Sequence, residues 1–228
     1  MIELPFTPVS FDPEAHKYTD SLGREYISVT TLLSEGDPFD SEGIAASVIK
    51  NPRSKYYGMT KEAVLLKWKQ SAPMGTAVHE AVEDYINTGN IQLEHEYLVK
   101  QFSRLNFTGE LLAETRLHHE KYLIAGTADI IEHCGDCIWL WDIKTSVSRP
   151  DGKDMDRSKK HKYALQLGIY KVLIEHLFKV PCHIGGILWF KDYTKNLERT
   201  RLRVFEVDDV QDEVEQILRN RLYKVLNV

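Results

Sequence analysis

Cysteine is scarce. The 228 residues include three, an odd number and too few for a disulfide framework in a chain of this length. Thiols that stay reduced fit an intracellular setting, so a cytoplasmic protein is expected. No apolar run approaches the roughly 18 residues of a membrane span, and no membrane role is expected. The opening MIELPFTPVSFD has no basic segment followed by an apolar one, so no secretory signal is read there. Internal repeats, low-complexity tracts and lipidation motifs are missing too, which argues against solenoids, disordered linkers and lipid-anchored proteins. Basic charge is not in excess: 29 Lys and Arg face 34 Asp and Glu, for a net charge of -5. That balance speaks against coating nucleic acid or anionic membrane by bulk charge, although it leaves room for a local basic groove.

What the chain does contain is ordinary globular material, 43% hydrophobic and 28% charged. A chain of this length buries roughly 70% or more of its unfolded surface, enough for one sizeable core without staples.

Residues 10–34 read as a short hairpin, with two β-rich runs flanking the turn residues Asp20 to Gly23. A stretch punctuated by Pro38, Gly43, Pro52 and Gly58 follows, with short helices and loops. A helix is predicted from Thr60 through EAVLLKWKQ. A second opens near Gly75, GTAVHEAVEDYINTG, and Gly89 stops it. LLAETRLHH, YLIAGTADII and CIWLWDIKTS are successive strand-like runs, with HHEK and CGDC where turns belong. The polar segment SVSRPDGKDMDRSKKHK leads into a long helix, YALQLGIYKVLIEHLF, closed before Pro181. HIGGILWFKD and RTRLRVFEV read as two more strands, and residues 208–226 as an amphipathic helix. This order predicts an α/β domain with a mixed central sheet flanked by helices, and the first 60 or so residues as an appendage.

The middle hairpin carries the sharpest feature. With its turn centred on Gly135 and Asp136, the antiparallel register puts Asp129 directly opposite Asp142, with Cβ atoms about 4.5–5.5 Å apart. Like charges so placed destabilise a sheet. A divalent cation compensates, and hard oxygen ligands suit one or two ions of Mg²⁺ or Mn²⁺. Lys144 shares that face by strand alternation. Two aspartates, a metal and a lysine make a site for phosphodiester hydrolysis, with the lysine orienting the nucleophile and offsetting developing charge. Asp-x-Lys by itself is more often a solvated strand edge; the cross-strand aspartate is what raises it. His79 and Glu83 are four apart on one helix face, and the residues alone leave His79 either a ligand or a hydrogen-bonded helix histidine. Glu80, Glu83 and Asp84 read as a solvated face, with Glu83 the one turned inward. Tyr163, Gln166 and Tyr170 fall on one face of their helix, either an apolar stripe or a contact surface.

Taken together, these pieces resemble the PD-(D/E)XK nuclease superfamily. GTAD at 126–129, DIKTS at 142–146 and YALQLGIY at 163–170 carry the likeness. GTAVHEAVEDYI at 75–86 is similar to the histidine helix of the RecB-like branch, and YISVTTLLS at 26–34 to the leader of its phage and mitochondrial-genome-maintenance type exonucleases. The resemblance covers most of residues 16–190. It implies a restriction-endonuclease-like core over residues 61–205, preceded by the appendage at 1–60 and followed by a helix at 206–228 packed on the same domain. Asp129 and Asp142 would be the acidic metal ligands, Lys144 the catalytic lysine and His79 the further ligand of that branch. Gln166 would contact substrate or the lysine, with Tyr163 and Tyr170 beside it on the substrate side. Glu114 matches an acidic residue often found on the preceding strand, although pairing that strand through an HHEK turn sets it opposite Ala125. The resemblance also implies an exonuclease on single-stranded or end-bearing DNA, working with replication, recombination or repair proteins, and a phage origin.

Cys134 and Cys137 form a C-x-x-C, and only Cys182 follows. An iron–sulfur cluster, known in some relatives, needs four thiolates and is not expected. A zinc site would need Cys182 and His183 to converge on the hairpin turn. The reading adopted is that the pair flanks the turn.

From Lys144 to Lys162, seven basic residues face three aspartates, for a net +4. Arg149, Lys159 and Lys160 of that stretch are candidate phosphate-backbone contacts. Lys195 to Arg203 extends the track, and Tyr56, Tyr57 and Trp68 are candidates for stacking on unpaired bases. Two alternatives stay open: a flap- or branch-cutting endonuclease using the same chemistry, and a DNA-binding module that has lost catalysis.

Overall fold

The computed structural model describes residues 3–15, 17–36, 40–146, 157–191 and 200–227, leaving aside the side chains at 70–74 and 146. Eight strands form one mixed sheet. The first three make a meander: β1 (Ser10–Asp12), β2 (Lys17–Thr19) and β3 (Glu25–Ser28). The expected turn between β2 and β3 is there, with Gly23 at φ 78 and the Asp20 carboxylate accepting the amides of Leu22 and Arg24. The β-rich run after it does not stay extended. Ser28 Oγ accepts the Thr31 amide at 3.0 Å and starts helix α1 (Val29–Gly36).

Asp40 caps α2 (Ser41–Val48) through the Gly43 amide. Thr60 caps α3 (Lys61–Thr88), and Gly89, left-handed at φ 72, ends it. The two helices expected here are one. Gly75 reads as the opening of a second helix, but α3 runs through it. Gly75 has a packing use within it: a Cβ there would sit 3.2 Å from Thr145 Oγ1, so the missing side chain lets α3 approach the sheet closely. A short helix with no counterpart in the sequence reading, α4 (Glu96–Phe102), follows.

The central strands are β4 (Glu110–His119), β5 (Ile124–His133) and β6 (Ile138–Ser146). Helix α5 (Arg157–Phe178) crosses back to β7 (Cys182–Lys191), which lies parallel to β6. β8 (Arg201–Phe205) closes the edge, and α6 (Gln211–Leu226) ends the chain. Two buried clusters occupy the two faces. α1, α5 and α6 pack with Leu117, Ile138, Leu140 and Ile187 on one; Val78, Val82, Leu98 and Phe102 of α3 and α4 pack with Ile130, Ile143 and Leu188 on the other.

Three local irregularities set which side chain faces which way. Gly185 is the extra residue of a bulge in β7, where the Trp141 ring lies against the place a Cβ would take. In β4 and β5, Ala113 pairs with Ile130 and Thr115 with Ala128, so Glu114 and Asp129 face each other outside the ladder. Glu114 has φ 46. Before that point β5 buries Ala128 with α5, and just after it buries Ile130 with α3, so the strand swaps faces there.

Candidate active site

The β5–β6 hairpin has the register its turn implies. Cys134 N–H donates to Cys137 O at 2.9 Å across the Gly135-Asp136 turn, and the pairs run from His133–Ile138 to Ile130–Trp141. The next pair in that register is Asp129–Asp142, and there the ladder stops. Alternation would send the Ile143 N–H across to the β5 backbone; it goes to Asp129 Oδ2 instead, at 2.6 Å. The strands part at this point. On the edge facing away from β4, β5 pairs with β3 only at Ile124 and Ala125 and with β6 only from Ile130 onward. Gly126-Thr127-Ala128-Asp129 spans the gap between them. A motif that reads as four letters in sequence is thus the one stretch of β5 left open on that edge.

Three elements converge on the gap. His79 comes from α3, with Nδ1 3.3 Å from Glu114 Oε1 and 3.6 Å from Asp129 Oδ1. Ligand atoms of His79, Glu114 and Asp129 all lie within 4.8 Å of one another. Glu114 therefore stands opposite Asp129, not opposite Ala125. The reason is the β4–β5 turn, which occupies Glu120 to Leu123 rather than HHEK; His118 and His119 belong to the strand and pair with Ala125 and Ile124. Asp142 and Lys144 come from β6. Lys144 Nζ donates to Asp142 Oδ1 at 2.7 Å and lies 2.6 Å from Oδ2 without hydrogen-bond geometry. A cleft of about 380 Å³ opens over the histidine, lined by Gly75, Thr76, His79, Glu80, Glu83 and Glu114.

Electrostatics separates this site from structural acids. Glu132 is buried as well, but Oε1 accepts the amides of Thr108 and Gly109 and Oε2 accepts Trp141 Nε1. Asp142, 2% exposed, keeps Oδ2 enclosed with no hydrogen bond. Burial pushes Asp142 up to about 6; Lys144 opposes the rise and the charge of Asp129 adds to it. Burial likewise raises Asp129, against the pull of Lys144 and His79. For Lys144, burial disfavours the charge, but Asp142 and Asp129 outweigh it and the ammonium is held above its ordinary value. His79 follows the same pattern: burial lowers it, and the Glu114 hydrogen bond with the charges of Asp129 and Glu114 carries it upward. Burial and the nearby acids Glu114, Asp84 and Glu80 raise Glu83. One imidazole and the carboxylate oxygens of Glu114 and Asp129, drawn within reach of one another, suit a hard divalent cation.

Helix α5 supplies the remaining wall. The Tyr163 ring lies 4.8 Å from Lys144 Nζ, and burial raises its hydroxyl. Gln166 is half-buried and hydrogen-bonds Tyr170. Tyr170 is 5% exposed and packs in the core behind the site. Its ring rests on Gly126: a Cβ there would come within 2.6 Å of Cε1 and 2.8 Å of Oη. Gly126→Ala is therefore expected to cost about 1–3 kcal/mol through overpacking. That lowers Tm by about 2–4 °C per kcal/mol, and an unchanged melting curve would refute the contact.

Other expected contacts are less central. Lys159 and Lys160 stand in the first turn of α5, and Lys160 Nζ lies 4.4 Å over the Phe205 ring. Arg149, the basic loop around it and most of the run before Arg201 lie outside the described residues. Arg201 donates to Tyr97 Oη at 2.7 Å. Tyr56 meets Trp68 edge to face at 5.9 Å, and Tyr57 is exposed. Among the described residues, neither group of three ligands that closes within 4.8 Å contains a cysteine, so Cys182 and His183 do not complete a metal set with Cys134 and Cys137. Sequence reasoning missed Tyr18, whose hydroxyl meets Thr127 Oγ1 at 3.1 Å beside the gap. Only the alternation of β2 could have signalled it.

A model of the PD-(D/E)XK nuclease superfamily matches residues 93–227, more than half of the chain. The chain belongs to that superfamily. Nucleases of this kind hydrolyse phosphodiester bonds and generally use divalent metal ions. The matched stretch includes Glu114, Asp129, Asp142 and Lys144 and excludes His79. No curated protein matches the chain. Among solved structures, the chain is similar to a "Putative exonuclease" from Eubacterium rectale at 14% identity, covering 89% of this chain and 81% of that one with a TM-score of 0.41. It is also similar to SSO0001 at 18% identity, covering 87% and 76%, with a TM-score of 0.42. No helix among the described residues is long and apolar enough to cross a membrane.

Proposed function

We propose that the protein is a Mg²⁺- or Mn²⁺-dependent deoxyribonuclease, an exonuclease acting on single-stranded or end-bearing DNA in replication, recombination or repair. The observation that carries the nuclease site is the meeting of His79, Glu114 and Asp129 with the Asp142–Lys144 pair where β5 and β6 part. The exonuclease mode and the choice of DNA rest on the likeness of the His79 helix and of residues 26–34 to the RecB-like exonucleases.

His79, Glu114, Asp129 and Asp142 would hold the cation. When bound, it supplies Lewis-acid stabilisation of the charge that grows on the phosphate and the leaving oxygen. Lys144 carries its proton on Nζ at working pH, so it acts as a fixed cation beside the phosphate and orients the attacking water. Tyr163 and Asp142 hold that ammonium in place. Gln166 orients Tyr170, and Tyr170 braces Gly126 and the strand that bears Asp129. Lys159 and Lys160 stand on the helix that follows the catalytic strand, where a phosphate backbone would pass.

The purified chain with Mn²⁺ is expected to shorten linear DNA from a labelled end and to leave circular single strands intact. Labelling each end in turn reads the polarity. Robust cutting of the circle would replace the exonuclease reading with the endonuclease. Binding without any cleavage would leave a DNA-binding module.

A further inference from the structure

Resting on the nuclease reading above, we propose that Arg116, with the Tyr18 and Thr127 hydroxyls, holds the phosphate next to the scissile one and so sets the side on which the DNA strand leaves the metal ligands. Arg116 lies on β4 two residues from Glu114, about 7 Å of extended strand. It pairs with Thr127 of β5, which is two residues from Asp129. Alternation gives its face. His118, two residues further on, meets the Tyr26 ring edge to face at 5.7 Å, so Arg116 shares the side of the sheet on which the β1–β3 meander packs. Tyr18 of that meander reaches the same place, with its hydroxyl 3.1 Å from Thr127 Oγ1. The charge of Arg116 is felt at that hydroxyl. Arg116, Thr127 and Tyr18 thus form a row across the sheet, two residue pairs beyond Glu114 and Asp129.

The row offers donors to an acceptor. Arg116 is exposed and makes no hydrogen bond or ion pair among the described residues. Regular alternation would set it beside the Glu114 carboxylate. The backbone at Glu114 takes φ 46 instead, and that carboxylate goes to His79. Tyr18 and Thr127 hold two hydroxyl hydrogens and use one between them, which leaves one to donate. A guanidinium fork with a hydroxyl hydrogen beside it matches a phosphodiester, whose free oxygens only accept. The opposite flank of the cleft has the other sign, because Glu80 and Glu83 of α3 line it and repel a phosphate backbone. A strand with its scissile phosphate at the metal ligands is therefore turned away by α3 and held by Arg116. The two-residue offset from Glu114 corresponds to one phosphate-to-phosphate step of an extended strand.

The test compares the purified wild type with Arg116→Ala, Arg116→Gln and Arg116→Lys. An exposed strand residue can be replaced without unfolding the chain, and circular dichroism checks this for each variant. On linear single-stranded DNA with Mn²⁺, Arg116→Ala and Arg116→Gln are expected to lose about 10- to 100-fold in kcat/KM, carried by KM with kcat near the wild type. Arg116→Lys keeps the charge without the fork and should fall between. A single uncharged methylphosphonate linkage, placed in turn on either side of the scissile phosphate, should cost the wild type a similar factor on one side only. It should cost Arg116→Ala nothing further there. A second reading needs no cleavage. In the Asp142→Asn chain without metal, fluorescence anisotropy with a labelled single strand should show weaker binding when Arg116→Ala is added, and a salt slope shallower by about 0.7. Tyr18→Phe should weaken that binding severalfold, and an unchanged Kd would remove the hydroxyl pair from the subsite. If the wild type binds DNA without cutting it, the nuclease reading falls and the anisotropy alone decides the contact. Wild-type KM in a cleaving Arg116→Ala chain, an equal methylphosphonate penalty in both chains, or an unchanged salt slope would overturn the subsite.

Discussion

Asp142→Asn is expected to abolish cleavage and, without metal at pH 7, to make the protein more stable than the wild type. Loss of one ligand oxygen removes several kcal/mol of transition-state stabilisation, about 10³-fold or more in rate. The stability arm follows from burial. Asp142 sits at about 6 in the folded chain, above its ordinary value, because burial penalises the carboxylate and Asp129 adds repulsion. A carboxyl raised on folding contributes stability in acid, and loses it as pH climbs through the folded value. The metal-free wild type is thus expected to lose on the order of 2 kcal/mol between about pH 4 and pH 7 on this account. The amide has no charge to desolvate and keeps an oxygen for the Lys144 ammonium. Saturating Mn²⁺ should reverse the order, because the wild type binds it more tightly; 100-fold excess over Kd contributes about 2.7 kcal/mol. Melting curves at pH 4.5 and 7, with and without Mn²⁺, check each arm. Wild-type cleavage by the variant would remove Asp142 from the site, and a lower metal-free Tm at pH 7 would refute the burial argument.

The parts of the site legible in the sequence are those that local elements set. The Asp129–Asp142 opposition follows from one local element, the Gly135-Asp136 turn, and two strands long enough to fix register. Glu114 was placed opposite Ala125 because the β4–β5 turn contains no glycine, asparagine or proline. Its Leu123 takes φ 48, a conformation no rule would assign to leucine. What holds it is remote: Arg221 of α6 donates to Tyr122 O at 3.0 Å and to Leu123 O at 3.3 Å. A turn stabilised from 98 residues away leaves no local signal. The gap at Gly126–Asp129 is hidden for a similar reason, since it needs β3 to arrive parallel to β5 from the far end of the chain. The helix start read near Gly75 fails differently: glycine's weak helix propensity is outweighed by the close approach of α3 to β6. The strands, the long α5 and the stop at Gly89 were legible because periodicity and capping are local.

The net charge of -5 takes on a different meaning with the fold in view. Asp208, Asp209, Asp212, Glu213 and Glu215 crowd the start of α6 and its approach, whereas the site acids are drawn in around Lys144 and His79. An acidic protein that grips DNA only locally, as the proposed nuclease would, suits cutting and release better than coating.

Lys144→Ala should have the larger combined effect, because one side chain both neutralises the buried acids and assists the chemistry. Its ammonium lies 2.7 Å from Asp142 Oδ1 and under the Tyr163 ring. Removing a fixed cation aimed at developing charge costs about 10²–10³-fold in kcat. Truncation also leaves Asp142 buried with no counter-ion, which typically costs 3–5 kcal/mol when the charge is retained. The chain can escape part of that by protonating Asp142, whose pKa must then rise further. By the same sign as before, the penalty is small in acid and grows with pH. Metal-free Tm should match the wild type near pH 4.5 and fall well below it at pH 8. Asp142→Asn in the same chain should restore most of the lost stability without restoring activity, a coupling above about 1 kcal/mol in the double-mutant cycle. Lys144→Arg separates the two roles. It keeps the charge and so the stability, but its planar fork does not reproduce a point cation at the phosphate, and the rate should stay low. Additive stability losses in the double variant would show that Asp142 and Lys144 are not paired in solution, and full activity in Lys144→Ala would remove the lysine from the mechanism.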